Sequence, residues 1–225
     1  MNIAIDGPAG AGKSTIARLA AKKLGFLYVD TGAMYRAIAL YLLWNDTDID
    51  NEEELHKALD RININIVYDK GVQHVFLNFQ DVSAEIRSEK VSIMASKSSA
   101  LQPVRDKLLD IQKSIADAND VIMDGRDIGT NILPNAELKI YLDASTEVRA
   151  KRRFDEMKNK GENPDIESIK ANIIARDEQD MNRKIAPLKK AEDAVHIDSS
   201  YMSIDQVVER IVTLAGEAAK KAEEN

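Results

Sequence analysis

Residues 2–14 read Asn2-Ile3-Ala4-Ile5-Asp6-Gly7-Pro8-Ala9-Gly10-Ala11-Gly12-Lys13-Ser14. Asn2 to Asp6 is a short, mostly apolar strand, and Gly7 to Ser14 matches G-x-x-x-x-G-K-[ST]. Ile16, Leu19, Ala20 and Leu24 then recur at helical spacing, and Gly25 stops the helix. Strand, glycine loop and helix in that order make a phosphate cradle. Small residues let successive backbone N–H groups point inward as a nest, and the helix adds its positive end. Lys13 can reach β- and γ-phosphates, the Ser14 hydroxyl can ligate Mg²⁺, and Thr15 can donate to a phosphate. Gly7, Pro8, Ala9, Gly10, Ala11, Gly12, Lys13, Ser14 and Thr15 are therefore the candidate triphosphate-binding residues.

Working outward, the pattern predicts a strand at Phe26 to Asp30 and a helix at Gly32 to Trp44. The period then changes. Ile62, Ile64 and Ile66 alternate with Asn63 and Asn65, Asp69-Lys70-Gly71 signals a turn, and Val75, Leu77 and Phe79 alternate again, which is a hairpin. Pro103 opens a helix carrying Val104, Leu108, Ile111 and Ile115. Val121 to Asp124 and Leu138 to Leu142 are further strands, the second followed by a helix from Ser145. Lys158 to Pro164 is a polar loop, Ile166 to Met181 a charged helix, and Ala194 to Asp198 a last strand. Ser203 and Gln206 form a capping box for the final helix, whose end from Lys220 to Asn225 is expected to fray. Strands alternating with helices imply an α/β fold, a parallel sheet with helices on both faces.

Composition narrows the function. The chain has 225 residues, long enough for one domain with a real core. Its 31 basic and 38 acidic residues give a net charge of −7, which argues against nucleic acid or an anionic membrane as the main partner. There is no Cys, hence no disulfide, thiol nucleophile or Cys-based zinc site. His56, His74 and His196 are too scattered in sequence to suggest a metal site. The longest apolar run, Ala37 to Trp44, is too short to span a bilayer, and no signal peptide precedes the first strand. A cytoplasmic protein, monomeric for want of an unassigned apolar stripe, is expected.

A phosphate loop does not by itself choose a reaction. A guanine-specific GTPase needs Asn-Lys-x-Asp after a late strand, and the nearest match, Asn159-Lys160-Gly161-Glu162, has Glu at the wrong place in a polar loop. What remains is a short chain with arginines near strand ends. Arg36 follows Thr31-Gly32-Ala33-Met34-Tyr35, Arg126 sits in Asp124-Gly125-Arg126-Asp127, and Arg176 and Arg183 flank Asp180. An accepting phosphate and a phosphoryl group in flight need cation clamps, and Arg offers a planar fork that Lys lacks. Arg152 and Arg153 read equally well as helix-face charges. Asp124 has two readings, an Mg²⁺ role through water and a turn residue at the sheet end.

The chain resembles the bacterial cytidylate kinases, within the nucleoside monophosphate kinases, nearly end to end. The resemblance rests on Ile5 to Ser14, Asp30 to Arg36, Asp81-Val82-Ser83-Ala84-Glu85-Ile86-Arg87, Val104-Arg105, Asp124 to Thr130, and Arg176-Asp177 through Arg183 to Ala186-Pro187-Leu188. It implies transfer of the γ-phosphoryl of ATP to CMP and dCMP, with Mg²⁺ as cofactor. By the resemblance, Thr31 and Arg36 meet the CMP phosphate, and Ser96, Arg105 and Asp127 read cytosine. Arg176 and Asp180 contact the ribose, while Arg126 and Arg183 contact phosphates and act with Lys13 in catalysis. It also implies a core (about 1–60, 88–150 and 190–225), a β-rich insert (about 61–87) that moves with the CMP site, and a helical lid (about 151–185). The residue types suit this reading, since a carboxylate matches the cytosine amine and a guanidinium its ring acceptors. By residue type alone, Asp127 could equally pair with Arg126. The alternatives are a kinase for UMP, dTMP or AMP, and a nucleotide-responsive protein without turnover.

Overall fold

The computed structural model describes residues 1–223, so the last two residues of the stretch expected to fray lie outside the described residues. Five parallel strands, β1 (Asn2–Asp6), β2 (Leu27–Asp30), β6 (Val121–Gly125), β7 (Leu138–Asp143) and β8 (Val195–Asp198), form the main sheet in the order β2-β6-β1-β7-β8. Alternation along β1 divides the core. Ile3 and Ile5 face a layer built on α1 (Lys13–Leu24) and α8 (Ile204–Glu223), and Ala4 faces a layer built on α2 (Thr31–Trp44) and α5 (Gln102–Ala118). Both faces are therefore buried, as parallel strands require. The final helix continues to Glu223, and its capping box forms. The Ser203 N–H donates to Gln206 Oε1 at 2.8 Å, and the Gln206 N–H donates to Ser203 Oγ at 3.2 Å.

The hairpin pairs β3 (Ile64–Asp69) with β4 (Val72–Leu77) antiparallel, with β5 (Gln80–Asp81) beside β4 as a third strand. Two helices were not foreseen, α3 (Glu52–Asp60) and α4 (Glu89–Ser98). Both have sequence signals at their starts. Asn51 accepts from the Glu54 N–H at 3.2 Å ahead of an acidic first turn, and Ser88 accepts from the Val91 N–H at 3.4 Å. The polar stretch expected as a loop from Lys158 loses its start to α6 (Thr146–Asn159), and α7 (Ile166–Asn182) follows it. These two helices pack through a small cluster of their own, Ala150, Ile169 and Ile173 with Phe154 and Met157.

The glycine loop leaves β1 against the end of β7. Gly7 has φ of 149°, and a Cβ there would lie 2.0 Å from the Leu142 carbonyl oxygen. Gly12, at φ of 88°, turns the chain into α1. Gly7→Ala should therefore cost on the order of 3 kcal/mol and weaken ATP binding together with the fold. Thermal unfolding with and without ATP checks this, and a variant as stable as its parent would refute the close approach.

Candidate active site

The C-terminal ends of the parallel strands open onto one cavity of about 520 Å³, the usual place for a ligand in such a sheet. Ala9, Gly10, Ala11, Gly12, Lys13, Ser14 and Thr15 line one part of it. Thr31, Arg36, Ser96, Arg105, Asp124, Arg126, Asp127, Arg176, Asp180 and Arg183 line the rest. Gly7 and Pro8 do not line it; they shape the loop from behind.

At the loop end, the Lys13 ammonium is buried and donates to the Pro8 carbonyl at 2.7 Å. Burial, then the Arg126 charge, lowers its pKa to about 7 against the pull of nearby carboxylates. Ser14 Oγ donates to Asp124 Oδ2 at 2.9 Å, and the Tyr28 hydroxyl donates to Asp124 Oδ1 at 2.9 Å. Burial, then the Asp30 charge, raises Asp124 to about 6. Asp6, at the end of β1, accepts from the Ile128 and Gly129 N–H groups at 2.8 Å each. Burial raises it to about 6 although both backbone donors favour its charge.

At the other end, Asp30 caps α2 by accepting from the Ala33 N–H at 2.9 Å and pairs with Arg36 at 3.1 Å. Thr31 Oγ1 donates to the Asp124 carbonyl at 2.8 Å. Arg126 pairs with Asp180 at 2.9 Å. Asp127 does not pair with Arg126. It pairs with Arg105 and, at 2.9 Å, with Arg183, and accepts from Asn131 Nδ2 at 3.2 Å. The two neighbours diverge, Arg126 toward α7 and Asp127 toward α5, so each meets a different helix. Burial lowers the pKa of Arg176 and Arg183, which remain charged. Ser96 Oγ and Arg176 Nε are buried without a hydrogen-bond partner.

The family model for cytidylate kinase matches residues 3–217. The chain belongs to the cytidylate kinase family. A cytidylate kinase of Caldicellulosiruptor bescii is 49% identical over 214 residues, covering 95% of each chain. One of Caldicellulosiruptor saccharolyticus is 50% identical with the same coverage. Among solved structures, an uncharacterized protein from Eubacterium ventriosum superposes with a TM-score of 0.50 at 12% identity, covering 95% of this chain and 97% of its own, a likeness of fold.

Several cavity residues escaped sequence reasoning. Arg149 passes for a helix-face charge, yet it is buried, donates to the Ala144 and Ala9 carbonyls at 2.9 and 3.0 Å, and pairs with Asp177 at 2.6 Å. Arg152 reaches Ala11 and Ser199, whereas Arg153 is half-exposed and pairs with Glu156. Tyr35, whose ring lies 5.8 Å from the Arg105 guanidinium, Ser99, Gln112 and the Met202 to Ile204 turn complete the wall. Arg152 reads evenly as a site or a helix-face residue, and the Arg149-x-x-Arg152 spacing, one helical turn, was the available signal for Arg149.

Asp6 makes a pH test of this arrangement. Between the ordinary 3.8 and about 6, the folded state holds a proton on Asp6 that the unfolded state has lost. Stability therefore falls as pH rises through that window. Asp6→Asn does not titrate, so its stability relative to the parent should rise by up to about 3 kcal/mol from about pH 4 to about pH 6.5. Denaturant melts across that range give the difference, and a flat one would contradict the burial cost. Activity should fall, because one amide oxygen replaces two oxygens facing two N–H donors.

Proposed function

We propose that this protein transfers the γ-phosphoryl group of ATP to CMP and dCMP, giving CDP or dCDP and ADP. One observation carries the reading. Nine cations and five carboxylates line the cavity, whereas the whole chain has a net charge of −7. A cationic hollow in an acidic protein selects anions and focuses their approach. Its two ends suit a triphosphate on the glycine loop and a monophosphate beside Arg36, and family membership names the acceptor.

In this reading Ala9 to Thr15 hold the ATP phosphates, and Gly7 and Pro8 set the shape of the loop behind them. Thr31 and Arg36 hold the CMP phosphate, Arg176 and Asp180 the ribose, and Ser96, Arg105 and Asp127 the base. Ion pairs support these assignments, because Arg105 and Arg183 are desolvated on Asp127, and Arg36 and Arg126 are oriented by Asp30 and Asp180, before an anion arrives. An acceptor phosphate oxygen bonds to the γ-phosphorus as the bond to the bridging oxygen of ADP breaks. No general base is needed, since a phosphate monoester, with its second pKa near 6, is about 90% dianionic at pH 7. Lys13, Arg126 and Arg183 neutralise the charge on the transferring group.

The residues present fit Mg²⁺. The Ser14 hydroxyl and the Asp124 carboxylate stand together as hard oxygen donors, and substrate phosphates complete such a site. Among the described residues no cluster of three or more acidic, His or Cys side chains could hold a metal by itself. When bound, the ion would be held by Ser14 and Asp124 and would supply neutralisation of phosphate charge.

Water competes with CMP as nucleophile, so closure matters. We assign the lid to about 151–185 and the monophosphate-binding insert to about 61–87, on a core of about 1–60, 88–150 and 190–225. The separate apolar cluster of α6 and α7 supports the lid. The insert is tied to the acceptor end by Gln73, whose amide bonds both the N–H and the carbonyl of Asp30, at 2.9 and 3.1 Å. The setting we propose is a cytoplasmic monomer acting on small molecules, without nucleic acid or membrane. Among the described residues no helix is long and apolar enough to cross a bilayer.

ADP release measured with CMP, dCMP, UMP, dTMP and AMP tests the assignment. CMP and dCMP should be the best acceptors; a preference for another would reassign the substrate, and no release with any would leave a binding protein. Lys13→Ala should lower turnover by about a hundredfold or more while CMP still binds. Ordinary turnover in that variant would remove the glycine loop from the mechanism.

A further inference from the structure

At one edge the main sheet ends in β2, whose last residue, Asp30, pairs with Asp124 on β6 and turns its other side to the sheet edge. A side chain occupies that edge. Along β4 the alternate residues Gln73, Val75 and Leu77 share one face. Val75 and Leu77 reach the core, and Gln73 reaches Asp30. Its amide oxygen accepts from the Asp30 N–H at 2.9 Å, and its amide nitrogen donates to the Asp30 carbonyl at 3.1 Å. A residue of a neighbouring antiparallel strand would make the same two-bond exchange. Tyr68, directly opposite on β3, directs its hydroxyl at the same amide oxygen, 3.4 Å away. Burial and then the Asp30 charge push the Tyr68 pKa up, so both residues of this cross-strand pair stand near Asp30.

Asp30 passes the constraint on. Its Oδ1 accepts from the Ala33 N–H and caps α2, and its Oδ2 accepts from the Arg36 guanidinium at 3.1 Å. Both carboxylate oxygens are thus committed. Arg36 lies folded back over the first turn of α2, where a Cβ on Gly32 would stand 3.0 Å from Arg36 Nη1 and 3.2 Å from Asp30 Oδ1. Asp30, Gly32 and Arg36 line the cavity, whereas Gln73 does not. We propose that Gln73 is a positioning residue for the acceptor phosphate: by clamping the Asp30 backbone it fixes the carboxylate that aims Arg36. This rests on the reading of Arg36 as a clamp on the CMP phosphate. A clamp aimed in advance spares the cost of ordering it when the nucleotide binds. The insert, which supplies none of the assigned contacts, then acts on the acceptor end through one side chain.

Gln73→Met keeps the reach of the side chain and removes both hydrogen bonds. Calorimetry on parent and variant gives dissociation constants for CMP and for cytidine, which has the same base and sugar but no phosphate, and kinetics give KM for both substrates. CMP should bind about fivefold more weakly in the variant, with a similar fall in kcat/KM for CMP. Cytidine binding and KM for ATP should each change by less than about twofold, because neither calls on Arg36. Equal weakening of CMP and cytidine would overturn the inference, making Gln73 a general support of the pocket. Unchanged CMP binding would also overturn it, leaving the amide a tie between hairpin and sheet. Should Gln73→Met not fold, Gln73→Asn, one methylene too short to span both groups of Asp30, goes through the same titrations with the same expectation. Loss of the fold in both variants would overturn the inference by assigning the amide to the fold. A parent that binds CMP no more tightly than cytidine would instead sink the reading of Arg36 on which it rests.

Discussion

The Asp6 carboxylate, at the end of the central strand, ties the two halves of the site together. It precedes Gly7, so it fixes where the phosphate loop leaves the sheet. It also receives the backbone N–H groups of Ile128 and Gly129, which fixes the segment bearing Arg126 and Asp127. One buried anion thus sets the distance between the donor phosphates and the acceptor machinery. Burial disfavours its charge, so the geometry is obtained at the expense of stability. That is the expected sign for a catalytic fold, where positioning rather than proton transfer lowers the barrier.

The same trade runs through the cavity. Arg105, Arg183 and Asp127 form a buried triad, and Arg126 with Asp180 a second pair. Buried pairs of this kind seldom stabilise a fold beyond what apolar residues would give. Their value is that much of the desolvation and all of the orientation is in place before the nucleotides arrive. The excess of cations over carboxylates around the cavity is balanced by the phosphates, so the loaded site is better compensated than the free one. Ligand binding and stability should therefore be strongly linked.

Much of this was legible in the sequence because it is local. The strand, the glycine loop and the first helix follow one another within 24 residues, and their chemistry is a matter of backbone and spacing. The hairpin and the capping box at Ser203 were legible for the same reason. What escaped depends on contacts between distant segments. Gln112 looks like any polar helix residue until the packing of α5 buries it two turns from Arg105. Arg149 looks like one more charge in a basic run until Asp177, from the next helix, and the Ala9 carbonyl claim it. Asp127 could be given a partner by adjacency, and adjacency chose the wrong one. At the end of a strand, neighbouring side chains part company.

The α6–α7 unit shows how such contacts can be put to use. Its own apolar cluster is small, Ala150, Ile169 and Ile173 with Phe154 and Met157 packed against them, and a unit with so few buried apolar contacts is expected to open more readily than the sheet. Yet it supplies Arg149 and Arg152 to the phosphate loop and Arg176 and Asp180 to the acceptor end, with Arg183 just beyond α7. An element with a weak core and charged anchors can come and go when its anchors lack counter-charges, and stays when they find them. Phosphates at both ends of the cavity provide those counter-charges together. A nucleotide at one end alone leaves the other arginines to their internal carboxylates. In the proposed reaction, a closure that depends on both ends would respond to the pair of substrates rather than to either one and would exclude water only when both are present.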